Sequence, residues 1–390
     1  MPSARFIQIH WLASYPGALL NRDDAGLAKR LPFGGVTRGR VSSQSLKRHW
    51  RLAGADSLEN AADNSWALQN LEIPMGFRTK LAVENKIMPR ALEKQPTDDN
   101  IAKAVEEELL KGVYAKNAAD PKKRQALYFG ESELEFLAEL AAQALAEDTP
   151  EEAGEKLVSL IGKQRANLRA LKDGAGLGAA LFGRMVTSDP AANTDAAIHV
   201  AHALTVHKLE RDLDYMTVVD DLKSQAEGDD SGSAGIFDME LTSGLYYGYV
   251  VVDIGLLVSN LSQDREIAAQ VVEHLVHLIA QVSPGAKKGS TAPYAWAELM
   301  LIEAGARQPR TLANAFRAPV DVRANGLLKK AVGQMNAHLA SLDAAYGGDE
   351  VRCQLAVDAD AALSEIDQKK LDDLAQWTAD VVRGSVGATA

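Results

Sequence analysis

Leu245-Tyr-Tyr-Gly-Tyr-Val-Val-Val-Asp-Ile254 constrains this chain more than any other stretch. β-Branched and aromatic residues fill it, and their stiff or flat side chains fit a pleated surface better than a helix. It reads as a strand, so the fold must contain a sheet. A second strand is read at Phe6-Ile-Gln-Ile-His-Trp-Leu12, where Ile7, Ile9 and Trp11 alternate with Gln8 and His10. Helices follow both strands. Ser42 or Ser43 caps one that runs to about Ala53, with Leu46, Trp50 and Ala53 on its apolar face. The other spans about Asp264 to Val282, with Ile267, Val271, Leu275 and Leu278 at helical spacing.

The remaining stretches are read around this frame. Residues 56–173 are rich in Ala, Leu and Glu and read as helical. Ala179 to Met185 reads as a short buried strand, Asp195 to Leu213 as a helix and Trp296 to Ile302 as a strand. Lys223 to Gly235 is polar and reads as mobile, and Gly384 to Ala390 as a disordered tail. Without its two insertions the order is βαββαβ, the ferredoxin-like pattern that RNA-recognition domains also use. A chain of 390 residues is long enough for two or three structural units. One cysteine, Cys353, leaves no internal disulfide framework and fits a reducing, cytoplasmic setting. The start shows no signal-peptide pattern, and no apolar run reaches the length of a membrane span, so no membrane partner is expected.

Charge is distributed unevenly. From Asn21 to Arg51 there are eight Lys or Arg against two Asp, a local +6 on a chain whose net charge is −11. Such an island fits one dedicated surface for a polyanion, although charge alone leaves a solvated face equally open. Arg40-Val-Ser-Ser-Gln-Ser-Leu-Lys-Arg48 sits at its centre. Free N–H groups at a helix start attract anions, and Lys47 and Arg51 lie one turn apart on that helix. Between Glu131 and Glu155, by contrast, there are nine acidic residues and no Lys or Arg. That stretch is expected to repel nucleic acid.

Other candidate sites are weaker. Gly285-Ala-Lys-Lys-Gly-Ser-Thr291 lacks the Gly-Lys-Ser/Thr order of a phosphate loop, though Lys287 and Lys288 remain candidates for phosphate contact. Gly174, Gly176 and Gly178 miss the dinucleotide spacing and read as a hinge before a strand. His274 and His277 near Glu273, and His199, His202 and His207, lack a metal-ligand spacing. The pairs Asp23-Asp24 and Asp220-Asp221 read as caps or solvated acids rather than Mg²⁺ ligands. No cofactor, metal or catalytic set is expected.

In their order along the chain, several blocks resemble one family. They are Leu20-Asn-Arg-Asp-Asp24, Gly34-Gly35, Arg40 to Arg48, Leu181-Phe-Gly-Arg-Met185, Ala201-His-Ala203, Val218-Val-Asp-Asp-Leu222, Ser243-Gly244 and Pro284-Gly-Ala-Lys287. The chain resembles the backbone subunit of Cascade, the CRISPR surveillance complex of type I-E systems (the CasC family). The resemblance implies an α+β, RRM/ferredoxin-like palm with a helical fingers insertion and a thumb insertion, in a right-hand shape. Its parts would be palm at 1–55, fingers at 56–173, palm at 174–192, thumb at 193–242, and palm with a C-terminal region at 243–383, before a tail at 384–390. It implies a non-catalytic, multi-copy subunit that binds CRISPR RNA and presents the guide in segments to target DNA. Neighbouring copies would be partners, as would the large, small, 5′-handle-binding and RNA-processing endonuclease subunits.

Carried over residue by residue, Ser42, Gln44, Lys47, Arg48 and Arg51 match the RNA-backbone helix, with Arg22 and Lys29 in the adjoining loop. Asn21, Arg38, Arg40, Ser43, Arg184, Lys287 and Lys288 complete the expected RNA contacts. Met185 matches an apolar side chain near a displaced base, and Tyr215 and Met216 take the place of bulky thumb residues. Two alternatives remain. One is a catalytic relative of type III complexes that cleaves target RNA with a thumb Asp, such as Asp214, Asp220 or Asp221. The other is a free-standing RNA-binding protein.

Overall fold

The computed structural model describes residues 4–54, 65–164, 176–185, 191, 193–219, 233–323 and 325–385. The fold is α+β with a large mixed sheet. The chain forms two compact units, one made of Met1–Leu68, Val200–Val252 and Ala269–Ala390, the other of Gln69–His199 and Asp253–Ala268. The strands, in chain order, are Phe6–Ala18 (β1), Arg30–Phe33 (β2), Val36–Val41 (β3), Phe77–Thr79 (β4), Leu127–Phe129 (β5) and Ile198–Val200 (β6). Ala203–Thr205 (β7), Glu210–Val219 (β8), Ser233–Asp253 (β9), Leu299–Gly305 (β10), Val351–Ala356 (β11) and Asp367–Gln368 (β12) complete them.

The sheet of the first unit runs β12-β11-β10-β1-β9-β7-β3-β2. β10 lies antiparallel to β1, from Phe6↔Gly305 to Leu12↔Leu299. β8 and β9 form a long antiparallel arm, from Glu210↔Ser243 to Val219↔Ser233, with a bulge between Val218 and Val219. The alternation read in β1 is present, yet both of its faces are buried. On the even face Leu12 joins Leu245, Tyr247, Leu299 and Leu301 against Ala331, Val332, Met335 and Leu339 of the helix Leu327–Tyr346.

Polar β1 residues on this even face are buried because each finds a partner. His10 meets the Tyr247 hydroxyl at 2.8 Å through Nδ1 and Glu303 at 3.1 Å through Nε2. Gln8 Oε1 accepts from the Tyr249 hydroxyl at 2.7 Å and from the Arg310 backbone N–H at 2.8 Å. Glu303 is fully buried and takes both Arg310 Nη groups, at 2.6 and 2.9 Å, and Arg352 Nε, at 2.7 Å. Arg352 in turn grips Asp343. Burial pushes the Glu303 carboxyl up, but hydrogen bonds from His10 and Arg310, with their charges, outweigh it and hold the carboxyl far below the usual range.

The odd face carries the helix Ser43–Leu52 (α1). Trp11 meets Trp50 of α1 edge to face, with ring centroids 6.0 Å apart. The Trp11 ring lies flat on Gly248 of β9, where an added Cβ would sit 2.0 Å from a ring atom. Gly248 therefore sets how α1 is held. Gly248→Ala is expected to lower stability by about 1–3 kcal/mol through overpacking and to shift α1. Thermal melts with near-ultraviolet circular dichroism of the tryptophans test this; an unchanged midpoint and spectrum would refute it.

In the second unit, the helices Met88–Lys94, Asp99–Tyr114, Glu131–Leu145 and Pro150–Lys163 close over Val83, Ile87, Val105, Leu109, Leu134, Leu137 and Leu157. The acidic residues of Glu131–Leu145 are partly neutralised within the unit: Arg90 pairs with Glu131 and Lys94 with Glu135, each at 2.6 Å.

Three expectations are corrected. Leu177–Phe182 is a helix, not a strand. Leu-Gly-Ala-Ala-Leu-Phe is rich in strong helix formers, and Gly176 (φ 93°) and Gly183 (φ 81°) bound it in conformations other residues resist. Gly176 is thus the residue before a helix. Asp195 to Leu213 is not a helix but carries strands, because pairing with β3 (Val41↔Ala203) and β9 (Leu204↔Tyr247, Glu210↔Ser243) claims its backbone. The strand expected from Trp296 starts at Leu299. The expected mobile segment falls mainly on 223–232, and most of the expected tail on 386–390; both lie outside the described residues.

Candidate nucleic-acid interface

The basic island folds as loop, hairpin and helix. β1 delivers the chain to Asn21, residues 21–29 turn back, β2 and β3 pair around Gly34-Gly35, and α1 begins one residue after β3. Asp23 organises the loop: its carboxylate accepts from the N–H groups of Ala25 and Leu27, each at 3.0 Å. That is local turn chemistry rather than a metal ligand set. Three hydrogen bonds join loop, strand and helix. Ser42 N–H donates to Asn21 Oδ1 at 2.9 Å, Arg40 N–H to the Lys29 carbonyl at 2.8 Å, and Lys29 N–H to the Asn21 carbonyl at 2.8 Å. Lys29, Arg40 and the start of α1 are thereby held together.

Ser42 is the cap of α1; its Oγ accepts from Ser45 N–H at 3.3 Å. Ser43 N–H donates to His202 Nδ1 at 2.9 Å, so the neutral ring carries its proton on Nε2. Burial, then the charges of Arg40 and Lys29, push the His202 pKa down. Along α1, Leu46 and Trp50 are buried, Gln44 and Arg48 are exposed, and Lys47 and Arg51 are half-buried. Burial lowers the Lys47 ammonium from the usual lysine range. A partly desolvated ammonium gains more from an anion than a fully hydrated one does. Arg22 is exposed at the neck of the loop, where it bridges Ala28. Lys287 and Lys288 belong to the same unit, since Ala286 N–H donates to the Leu19 carbonyl at 2.9 Å and Gly285 N–H to His49 Nε2 at 3.4 Å.

Three of the expected contacts are buried: Ser42, engaged as the cap of α1, and two arginines. Arg38 is fully buried, and its guanidinium donates to the carbonyls of Phe33, Thr205 and Phe316 at 3.1, 3.0 and 2.7 Å. It ties the hairpin to the sheet and presents no charge to solvent. Arg184 belongs to the second unit, where it is buried in a bidentate pair with Glu133, both contacts at 2.7 Å. Its neighbour Met185 is 64% exposed. Tyr215 is 61% exposed and shares a strand face with exposed Leu213, whereas Met216 packs with Leu19, Ala28 and Met239.

Glu240 and His202 have roles the sequence did not reveal. Glu240 is buried in β9 and accepts from Ala28 N–H at 2.7 Å and from Arg211 at 3.0 Å, with Arg30 at 3.6 Å. It anchors the basic loop to the arm. No local pattern marks it. Among the histidines, His277 stacks on Trp66 at 3.7 Å, and burial takes its pKa down to about 4 despite Asp372. Among the described residues, no group of three or more His, Cys, Asp or Glu is placed to hold a metal.

The profile of the CT1975-like proteins, Cas_CT1975, matches residues 7–381. The chain belongs to this family. Its fold is shared with chains of solved complexes. One, from a "CRISPR RNA-guided surveillance complex, pre-nicking", superposes with a TM-score of 0.74 at 22% identity, covering 98% of this chain and 100% of that one. Another, from a "CRISPR RNA-guided surveillance complex", gives 0.65 at 22% identity over 95% and 99%. No curated protein matches. The family match bears out the recognition of a Cas protein, and the fold agrees with it; the backbone role and the type I-E subtype belong to the proposal below.

Proposed function

We propose that this Cas_CT1975 protein is a non-catalytic, multi-copy backbone subunit of a type I-E CRISPR surveillance complex, holding CRISPR RNA by its phosphates and presenting the guide in segments to target DNA. The observation that carries this is the convergence of Lys29, Arg40, Ser42, Ser43 and Lys47 at the start of α1, fixed by the Asn21 and His202 hydrogen bonds. The positive end of the helix dipole and the flanking cations suit a strand of phosphates and carry no base readout, while the amides of Ser42, Ser43 and Ser45 are already donated within the protein. The neighbour order β10-β1-β9-β7 supports the palm, since it is the order of a ferredoxin-like βαββαβ sheet. The helical second unit supports the fingers, and the β8–β9 arm the thumb.

Tyr215, rather than Met216, takes the base-displacing role, because Met216 is already engaged under the basic loop. Met185 is exposed enough to meet a displaced base. The partners are the CRISPR RNA, the target strand, further copies of this chain and the other subunits of the complex, in the cytoplasm. Among the described residues no helix is long and apolar enough to cross a membrane.

Repeated copies on a linear template need a head-to-tail interface. Light scattering on complexes with guide RNAs of increasing length should therefore show stepwise growth in mass, with no cleavage of RNA or DNA in Mg²⁺ or Mn²⁺. A fixed dimer at every length would overturn the assembly. Metal-dependent cleavage lost on changing Asp214 would instead identify the catalytic relative.

A further inference from the structure

Tyr294 and Trp296 are 68% and 67% exposed, an unusual state for two large aromatic side chains on a tightly tethered segment. They flank Ala295, whose N–H donates to Ser283 Oγ at 3.0 Å while the same hydroxyl donates to the Ala295 carbonyl at 2.8 Å. Ser283 is itself buried. Ala292 holds a left-handed turn (φ 40°) just before them, and Ala297 N–H donates to the Ala280 carbonyl at 2.8 Å just after. Pro293 packs so closely on Gly285 that a Cβ there would meet its ring at 2.8 Å. The backbone is thus pinned on both sides, and it turns two rings away from the core. Aromatic groups ordered during folding bind flat partners with little further loss of freedom.

The surroundings indicate the partner. The same segment carries Lys287 and Lys288, and the bonds from Ala286 to Leu19 and from Gly285 to His49 fasten it to both ends of the basic island. Rings on a segment that also carries two cations match the combination that holds a single nucleic-acid strand: charge for phosphates, π-faces for bases.

We propose that Tyr294 and Trp296 form a base-stacking site for the single-stranded RNA whose phosphates α1 grips. This rests on the RNA-binding reading above and adds to it a contact made with bases rather than phosphates. Stacking releases no counterions, so the two kinds of contact differ in their salt dependence.

The test titrates the full chain with a single-stranded oligouridylate of about twenty nucleotides, following tryptophan emission and affinity across salt. Binding should quench emission, and Trp296→Phe should remove most of the quench while largely preserving affinity. The double variant Tyr294→Ala/Trp296→Ala should bind about 5- to 150-fold more weakly per stacked base at every salt concentration, with the salt slope unchanged. Lys47→Ala/Arg51→Ala should instead flatten the slope. Parental affinity in the aromatic variant together with weak binding by the lysine–arginine variant would overturn the stacking site and leave the RNA reading standing. Parental affinity in both variants would overturn both. Parental affinity for the short RNA with shorter arrays on long RNA would assign the rings to a neighbouring copy, and would also overturn the proposal.

Discussion

Lys47→Ala/Arg51→Ala is expected to weaken RNA binding about 60-fold at 50 mM salt and about 10-fold at 0.2 M. These values follow from the single-strand salt dependence of about −0.7 per neutralised phosphate, with one phosphate per side chain and a 1 M reference. The slope itself should flatten by about 1.4. Both side chains are half-buried on the flank of α1, while the helix is secured from its other side by Leu46 and Trp50, so the variant should fold. Measuring affinity at four or more salt concentrations separates a lost phosphate contact from general weakening. Parallel salt plots for parent and variant would rule out these two residues as the grip.

Glu303→Gln is expected to destabilise the first unit by about 3–5 kcal/mol, because a buried charge network loses the carboxylate to which Arg310 and Arg352 both bind. For a unit of this size the melting midpoint should drop by about 6–20 °C. The pH dependence has a defined sign. The folded-state pKa of Glu303 lies below its unfolded value, so its contribution is complete above the ordinary carboxylate range and declines as pH falls below that range. Gln cannot titrate, and the gap between parent and variant should narrow toward acid. A midpoint within 2 °C of the parent at pH 7 would show that the arginines find other partners without loss.

The regular parts of the fold were legible because their signals are local. Alternation placed β1, the Val and Tyr run placed the second half of β9, and a 3.6-residue period placed Arg265–Gln281 to within one residue at each end. The α1 cap was narrowed to Ser42 or Ser43, and Ser42 holds it. What was not legible depends on distant partners. β7 and β8 are strands because β9 pairs with them; β7 is only three residues long, and the charged start of β8 masks its period. Charge was equally ambiguous: the sequence showed that Arg38 and Arg184 are basic, but not that three carbonyls and Glu133 enclose them. Trp296 continues the apolar run of β10 in sequence but lies outside the strand, because an apolar residue type does not say which way the side chain faces.

The first unit is assembled from three separate lengths of chain, and this governs how the protein emerges from a ribosome. β1 is among the first elements made, yet its two sheet neighbours are β9, which ends at Asp253, and β10, which begins at Leu299. At about 5–20 residues per second, roughly 12–47 s pass between the end of β1 and the end of β9. During that interval Ile7, Ile9 and Leu12 have no sheet to join, whereas the helices between residues 88 and 163 can already bury one another. The helices of the second unit are therefore placed to pack first, leaving the oldest strand of the nascent chain with both edges unpaired until β9 is made and with one edge open until β10 follows. Chaperone occupancy should concentrate on the N-terminal segment, and synonymous changes that slow translation between codons 200 and 300 should lower soluble yield more than the same changes after codon 356.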